Sequence, residues 1–374
     1  MNNSSSFCTV LESLRNSSNP NETNFGNMAV VVFHGICCTM GILENALILW
    51  VVGFRVRRTV AAVWVLNLAL SDFLGVLTLP LFTYYLSSSH SWELGEPLCV
   101  AQSGLFFLNM FVSAFLLATI SLDRCLLVMQ PIWSKTHRSV AMARKICALG
   151  WLWAGINTLP YMLFRAVIPK TNNRSLCYHH FARFSTPETL EHDCQVRQVA
   201  TALSKFLLAF LIPLSIIACS YACVSWKLRQ RHLQRQNSLF TNRRIYSNST
   251  SSTLSPRFSK MVMAVIAIFI FTWSPYHIFC LLEVTSSHRN VVEVGLPIAA
   301  TFSFLNATLN PFLYAFSCPD FCERIRESMG AVLEGLLTEG EDTGSARLQF
   351  NGVRRSVTEK VRNIDNNSKT EIGS

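Results

Sequence analysis

The sequence contains few charged residues. Only 14% of its 374 residues are Asp, Glu, Lys or Arg, whereas soluble proteins usually carry about 25%. The shortage lies in the middle of the chain, because segments 1–27 and 330–374 are polar and a series of long apolar runs separates them. This composition excludes an ordinary soluble globular protein and predicts a membrane protein with two polar tails.

The chain also lacks the sequence contexts of hydrolases and transporters. The histidines within the apolar runs, His34 and His277, have no Gly-x-Ser-x-Gly or His-Glu-x-x-His pattern around them, so no activated nucleophile or zinc site is indicated. No internal repeat of the kind found in secondary transporters is present. We therefore predict that the protein is not an enzyme and uses no catalytic cofactor.

Seven apolar stretches are long enough to cross a bilayer as helices, which takes about 20 residues each. We number them spans one to seven, and they cover residues 28–54, 60–86, 96–129, 143–165, 197–226, 258–284 and 293–317. The predicted fold is an all-α bundle of seven transmembrane helices over 28–317. An odd number of spans places the two tails on opposite sides of the membrane.

Positive charges in the short loops predict the orientation. Basic residues follow spans one, three and five: Arg55, Arg57, Arg58, Lys135, Arg138, Lys227, Arg229, Arg231, Arg235, Arg243 and Arg244. The positive-inside rule places them in the cytoplasm, so we expect a plasma-membrane protein with an extracellular N-tail and a cytoplasmic C-tail. Much of the net charge of +10 then faces anionic lipid or an acidic partner, and we predict no nucleic-acid partner.

The predicted extracellular segments contain four of the thirteen cysteines, namely Cys8, Cys99, Cys177 and Cys194. An oxidising compartment permits two disulfides among them, and the residues alone leave the pairing open. The N-tail also carries glycosylation sequons, including those at Asn3, Asn16 and Asn21, which suit an extracellular tail.

Polar side chains recur inside the spans, where each one needs a partner or a purpose. Those at similar depth in spans one, two, three and seven are Asn45, Asp72, Asn109, Ser113, Asn306 and Asn310. One carboxylate surrounded by amide and hydroxyl oxygens suits a sodium ion with water. A hydrogen-bonded network that only fixes helix packing is the alternative.

Span three ends with Asp123, Arg124 and Cys125, 25 residues after Cys99. At about 1.5 Å per residue, a helix of that length spans roughly 37 Å and places Cys99 and Arg124 at opposite membrane faces. We expect Asp123 or span six to hold Arg124 until a cytoplasmic partner replaces them. An ordinary snorkelling arginine is the alternative.

Prolines weaken spans six and seven near bulky or polar side chains. Pro275 follows Trp273, while Pro311 lies between Asn310 and Tyr314. Each proline frees a backbone carbonyl and permits a kink. Together these segments predict an element with two states.

In this order, one motif per span, these residues resemble the signature of the rhodopsin-like (class A) G-protein-coupled receptors. The resemblance covers about 28–328 and includes Asn45, Asp72, Cys99, Asp123, Arg124, Trp151, Pro213, Trp273, Pro275, Asn310, Pro311 and Tyr314. Segment 318–329 is similar to the amphipathic helix that follows span seven in that family. The resemblance implies a heterotrimeric G protein as partner, arrestin and receptor kinases acting on the C-tail, and a disulfide between Cys99 and Cys177.

Several runs of residues resemble the chemoattractant branch of this class. The segments 160–165, 197–210 and 275–279 are most similar to the chemoattractant-type prostaglandin D2 receptors. This implies a lipid carboxylic acid such as prostaglandin D2 as ligand, and chemotactic signalling through inhibitory G proteins. It also implies a second disulfide, between Cys8 and Cys194, that tethers the N-tail over the pocket.

The resemblance places the ligand carboxylate at Arg165, Lys205 and Tyr276. A guanidinium and an ammonium facing one carboxylate in a low dielectric form strong charge-assisted hydrogen bonds. The acyl chain would follow an apolar channel lined by Phe106, Phe107 and Trp273.

Two positions depart from that branch. Tyr178 follows Cys177 as expected, but His179 and Gln102 stand where the prostaglandin receptors have a tyrosine and a histidine, so the ligand preference is open. Glu283, also near the predicted site, can instead pair with Lys205 or Arg165.

Other receptor types in this class fit less well. Phe106 occupies the position where aminergic receptors have a carboxylate, and residues 293–317 contain no lysine that could bind retinal. The alternative we retain is a receptor of the formyl-peptide type, because Arg165 and Lys205 would serve a peptide carboxylate equally well.

Overall fold

The computed structural model describes residues 7–16, 24–88, 91–170, 173–241, 256–284 and 289–317. Several predicted features lie outside the described residues: the sequons Asn3 and Asn21, the side chain of Tyr314, the amphipathic helix 318–329 and the C-tail 330–374. Asn16 is described, and it is exposed at the end of a short helix.

The first four spans follow a short N-terminal helix. Helix α1 covers Thr9–Asn16, and span one is α2 (Asn24–Trp50), which continues into a π-helical turn at Val51–Arg55. Span two is divided into α3 (Val60–Val76) and α4 (Leu79–Ser87), and span three is α5 (Glu96–Met129). A short helix α6 (Pro131–His137) leads to span four, which is α7 (Val140–Leu163).

An antiparallel hairpin separates spans four and five. Its strands are β1 (Arg165–Pro169) and β2 (Ser175–His179), with Arg165 opposite His179 and Val167 opposite Cys177. Span five then comprises α8 (Leu190–Ser204), a π-helical segment (Lys205–Leu211) and α9 (Ile212–Thr241), and spans six and seven are α10 (Pro256–Val284) and α11 (Arg289–Ser317).

The described helices form the predicted seven-helix bundle. Six of the spans are long and apolar enough to cross a membrane. The further helix, α11, packs against α10, α2 and α3, and polar residues such as Asn306 and Asn310 reduce its hydropathy. Apolar side chains including Leu43, Leu149 and Ile156 are more than half exposed on the outside of the bundle, as expected for surfaces that contact lipid.

Span four ends earlier than predicted, and this changes the position of Arg165. Instead of ending a helix at residue 165, α7 ends at Leu163, where the Phe164 backbone N–H donates to the Pro160 carbonyl. Arg165 is therefore the first residue of β1. It is held there by strand pairing with His179.

Two disulfides attach the N-terminal helix and the hairpin to the bundle. Cys99 at the start of α5 is bonded to Cys177 in β2, and Cys8 is bonded to Cys194 in α8. Both predicted pairings are therefore confirmed. We call this end of the bundle the hairpin face.

Helix α1 lies directly on the hairpin. Thr9 donates hydrogen bonds to the Glu191 carboxylate through its backbone N–H and its hydroxyl, and Arg15 Nε donates to the Pro169 carbonyl. Beneath α1, a buried apolar cluster contains Cys8, Leu11, Ala166, Ile168, Leu176, Ala182 and Cys194. The N-terminal helix is thus a packed part of the hairpin face.

Candidate functional site

A buried ammonium lies at the centre of the hairpin-face end of the bundle. Lys205 is only 6% exposed. Its Nζ lies 5.5, 5.6 and 5.7 Å from the ring centroids of Phe107, Tyr161 and Tyr276 and donates to Cys280 Sγ at 3.5 Å. Rings and a thiol solvate an ammonium less well than water or a carboxylate. The site therefore favours an incoming anion.

A break in regular α-helix orients Lys205 toward this cage. Lys205 is the first residue of the π-helical segment, where the Ile212 N–H donates to the Leu207 carbonyl. Pro213 follows directly and has no N–H with which to continue the regular ladder. A π-helical turn adds a residue to the turn and rotates the side chains before it.

Arg165 lies at the same end of the bundle and is also without an acidic partner. Its Nε donates to Cys177 Sγ and its Nη1 to His179 Nδ1, both at 3.3 Å. Among the described residues, neither Arg165 nor Lys205 belongs to an ion pair. Two cations without a direct ion pair thus lie at the same end of the bundle, and the charge of the Glu283 carboxylate acts on Arg165.

Glu283 does not neutralise either cation by direct contact. Its carboxylate accepts a hydrogen bond from the Tyr178 hydroxyl, and its backbone carbonyl accepts one from Gln198 Nε2. The predicted alternative in which Glu283 pairs with Lys205 or Arg165 is not realised as an ion pair among the described residues, although the charges of Glu283 and Arg165 act on each other. The carboxylate instead ties span six to β2.

His179 is hydrogen-bonded to Arg165, and the charges of both cations act on it. Its ring stacks on Phe181 and lies 6.0 and 6.2 Å from the rings of Phe107 and Tyr161. Because an arginine only donates, Nδ1 must accept from Arg165, and the proton of a neutral ring is then on Nε2. That Nε2 is buried without a partner among the described residues. Burial and the charges of Arg165 and Lys205 hold the pKa of His179 well below its ordinary value of 6.5.

The roof over this region is nearly closed. A cavity of about 10 Å³, roughly enough for one water, is lined by residues of the N-terminal segment, the hairpin region and span five: Cys8, Leu11, Tyr178, His179, Phe181 and Gln198. Two of these side chains belong to the N-terminal segment, namely Leu11 in α1 and Cys8 directly before it. The N-terminal segment therefore covers this side of the site.

The predicted channel residues lie below the cations. Phe106 is 5.6 Å from the Tyr276 ring, 6.4 Å from Trp273 and 5.3 Å from Phe107 between centroids. Gln102, four residues before Phe106, is buried on the same face of α5. The structure thus places the residues predicted from sequence around one apolar region.

Three residues near the site were absent from the predicted ligand-binding set. Tyr161 stacks on Phe107 at 4.2 Å and donates to or accepts from Ser204 at 2.8 Å, and Cys280 contacts Lys205 Nζ. His277 is fully buried beside Tyr276. Two features of the sequence could have identified two of these residues. Cys280 follows Tyr276 by four residues, which places both on one face of a helix, and His277 is a histidine inside an apolar span.

The polar residues predicted around Asp72 also converge. Its carboxylate accepts hydrogen bonds from Asn109 at 3.2 Å, Ser113 at 3.0 Å and Asn310 at 2.8 Å. Both amide atoms of Asn306 and the Oδ1 atoms of Asn45 and Asn310 are buried without partners among the described residues. These oxygens suit a small hard cation with water, and the sodium ion itself stays a prediction.

At the opposite end of the bundle, Asp123 has a different partner from the one predicted. Arg138 Nε and Nη2 donate to its two carboxylate oxygens at 2.7 and 2.9 Å. No ion pair of Arg124 occurs among the described residues. The expectation that Asp123 holds Arg124 is therefore wrong, because the fork of Arg138 already occupies that carboxylate.

Comparison with known proteins agrees with this architecture. Residues 44–314 match the family 7 transmembrane receptor (rhodopsin family). The chain is 43% identical over 343 residues to prostaglandin D2 receptor 2 of Mus musculus, covering 90% of this chain and 85% of the mouse protein. It is 42% identical over 343 residues to the Rattus norvegicus prostaglandin D2 receptor 2, covering 90% and 80%. It is 32% identical over 335 residues to chemerin-like receptor 1 of Rattus norvegicus, covering 87% and 84%.

Proposed function

This chain belongs to the rhodopsin family of seven-transmembrane receptors, and from that premise we propose that it is the receptor for a lipid carboxylic acid, most simply prostaglandin D2. Proteins of this family are receptors that act on G proteins and are not enzymes. The observation that carries the ligand proposal is the buried Lys205 ammonium, which has no carboxylate partner among the described residues.

A ligand carboxylate fits between the two cations. Arg165 offers a guanidinium whose present contacts are a sulfur and a neutral imidazole, and Lys205 offers an ammonium held among rings. A carboxylate here would replace weak contacts with charge-assisted hydrogen bonds in a low dielectric. The acyl chain would then displace or separate the aromatic side chains around Phe106 and Trp273.

The closed roof favours a lipid over a peptide. Helix α1 is bonded through Cys8 to span five and packs on the hairpin. A slender acyl chain passes beneath such a cover more easily than a peptide, whose backbone needs hydrogen-bonding partners throughout. The formyl-peptide alternative requires the N-terminal helix to move away.

The proposed position of the ligand carboxylate is close to the proline kink of span six. The ring of Tyr276 lies 5.7 Å from Lys205 Nζ and 6.3 Å from Trp273, and Pro275 lies between these two rings in sequence. We propose that the ligand shifts the population toward a packing in which the inner end of span six moves and Arg124 meets an inhibitory G protein. The hairpin face is then extracellular and the end bearing Arg124 is cytoplasmic.

The test is inhibition of cyclic-AMP accumulation in cells that express the chain, dosed with prostaglandin D2 or with a formyl peptide. Removing one member of a buried charge pair loses about 2–5 kcal/mol, so Lys205→Ala should reduce prostaglandin potency by about 30-fold or more. Lys205→Arg should retain part of the response, because it keeps the charge.

Lys170→Ala is the matched control. It removes a positive charge from the same face of the molecule, at the hairpin turn outside the aromatic cage. The proposal fails if the wild type responds only to the peptide, or if Lys205→Ala and Lys170→Ala leave prostaglandin potency equally unchanged at equal surface expression.

A further inference from the structure

A buried histidine in span six has no hydrogen-bond partner in the part of the chain that the structure describes. His277 is 0% exposed, and both of its ring nitrogens lack partners among the described residues. A neutral imidazole always presents one N–H donor and one acceptor. Leaving both unpaired in an apolar interior is unfavourable, so this position is suited to a group that can satisfy them.

The neighbours of His277 are aromatic rings. Its ring centroid lies 5.1 Å from that of Phe210, 6.4 Å from Phe206 and 6.1 Å from Trp273. Phenylalanine has no polar side-chain atom and an indole only donates. The ring of Tyr276, 5.7 Å away between centroids, carries a hydroxyl, but neither nitrogen of His277 has a hydrogen-bond partner among the described residues. His34, a buried histidine in span one, shows the contrast, because both of its nitrogens contact threonine hydroxyls at 2.9–3.0 Å.

His277 is close to the proposed carboxylate anchor. Lys205 Nζ and the His277 ring centroid each lie 5.7 Å from the Tyr276 ring centroid, so at most about twice that distance separates them. Phe206 and Phe210, which flank His277, belong to the same π-helical segment as Lys205. A ligand that is held at Lys205 and runs toward Trp273, whose ring lies 6.1 Å from that of His277, is therefore within reach of His277 a few carbons from its carboxylate.

We propose that His277 is a second polar contact for the ligand, which hydrogen-bonds a hydroxyl or keto oxygen several carbons from the carboxylate. A hydroxyl matches an imidazole best, because it can both donate and accept. This inference rests on the proposed function and narrows it, since it selects oxygenated fatty acids over fatty acids whose only oxygens are in the carboxylate.

The experiment measures the affinities of two acids by displacement of labelled prostaglandin D2 from membranes containing the receptor. The acids are prostaglandin D2 and a C20 polyunsaturated fatty acid that carries a carboxylate and no other oxygen. In the wild type the prostaglandin should bind more tightly. His277→Phe, which keeps an aromatic ring but no polar atom, should reduce the ratio of the two affinities by about 10-fold.

His277→Gln should retain most of the preference, because an amide also provides one donor and one acceptor group. If His277 has a purely structural role, or binds only a water, His277→Phe should weaken the binding of both acids equally. The ratio of the two affinities would then stay unchanged, and this result would overturn the inference. If the proposed function is wrong, the result differs: neither the wild type nor the variants at position 277 would bind either acid.

Discussion

Lys205 and Arg165 hold two positive charges at one end of the bundle, and neither forms an ion pair among the described residues. Desolvated charge of this kind destabilises a protein unless a ligand compensates it. The carboxylate of Glu283 is hydrogen-bonded to Tyr178, and its charge acts on Arg165 without an ion pair. At the scale of single residues, the proposed ligand carboxylate would therefore compensate the charge of Lys205, which has no ion pair among the described residues.

Because His179 is buried next to Arg165, we predict that the stability of the folded protein depends on pH. The pKa of His179 is held well below 6.5 in the folded protein by burial and by Arg165 and Lys205, whereas the unfolded chain takes up the proton near 6.5. Its contribution to stability is therefore intact above pH 6.5. It is lost as the pH falls below that value, by up to about 1.4 kcal/mol per pH unit.

Thermal unfolding of the purified receptor without ligand, from pH 7.5 to 5.5, measures this effect. His179→Gln keeps an acceptor for Arg165 but does not titrate, so the mutant should lose less stability than the wild type over the acid half of the range. His180 is present in both proteins, and its own titration cancels in the comparison. Identical pH profiles for the two proteins would contradict the assignment.

At the scale of elements, spans two and three approach closely at the Asp72 cluster. A Cβ atom added to Gly75 would lie 2.7 Å from Asn109 Cγ, which is too close for any real contact. Asn109 in turn donates to Ser71 at 3.0 Å and to Asp72 at 3.2 Å. The absence of a side chain at Gly75 thus permits this part of the polar network.

We therefore predict that Gly75→Ala lowers the stability of the receptor by about 1–3 kcal/mol, the usual result of overpacking a tight contact. Thermal unfolding in detergent is the measurement. Gly155→Ala in α7 is the control, because a Cβ there meets nothing within 4 Å, and it should be neutral. Equal melting temperatures for the two variants would show that spans two and three accommodate the added methyl group without loss of stability.

The N-terminal helix is the element that closes the site. Because Cys8 tethers α1 to α8 and Leu11 lines the cavity beneath it, Cys8→Ser should loosen the cover. We expect bound labelled prostaglandin D2 to dissociate about 3- to 10-fold faster, with a smaller effect on its association.

The double variant Cys8→Ser/Cys194→Ser distinguishes the loss of the disulfide from an effect of the free Cys194 thiol that the single variant leaves. It should behave like the single variant, since either change removes the same bond. If the dissociation rate stays at the wild-type value in both variants, the hydrogen bonds of Thr9 to Glu191 alone hold α1 in place.

At the scale of the whole molecule, the end opposite the hairpin face offers a surface for a partner. Helix α6 exposes Ile132 at 82% and Trp133 at 43%, and the pair between Arg138 and Asp123 anchors the residues after it to span three. Exposed apolar side chains on an anchored helix are suited to contact another protein.

Arg138→Ala should therefore weaken coupling without changing ligand affinity. Loss of a bidentate pair worth about 1 kcal/mol corresponds to a reduction of about 5-fold in ligand-stimulated nucleotide exchange by a reconstituted inhibitory G protein. Lys135→Ala, an exposed neighbour in α6, is the control. A fall in ligand affinity measured without G protein would show instead that the pair supports the whole bundle.

The sequence by itself determined the membrane class, the number of spans and the four cysteines able to form disulfides. Runs of apolar residues and the position of each cysteine relative to the spans are local quantities, and they suffice for these predictions. The pairing of the cysteines and the residues predicted around Lys205 came from the resemblance to a family, and that set omitted Tyr161, Cys280 and His277. The limits of span three, 96–129, were predicted to the residue, because polar segments on both sides bound it.

Only the tertiary structure decided which polar groups meet. Arg165 belongs to a strand and not to the end of a helix, Asp123 pairs with Arg138 in place of Arg124, and Glu283 bonds to Tyr178. Nor did composition indicate that His277 would lack a hydrogen-bond partner among the described residues while His34 has two. Each of these outcomes depends on side chains from different segments that the packing of the helices and the hairpin brings together, and a local pattern of residues does not specify that packing.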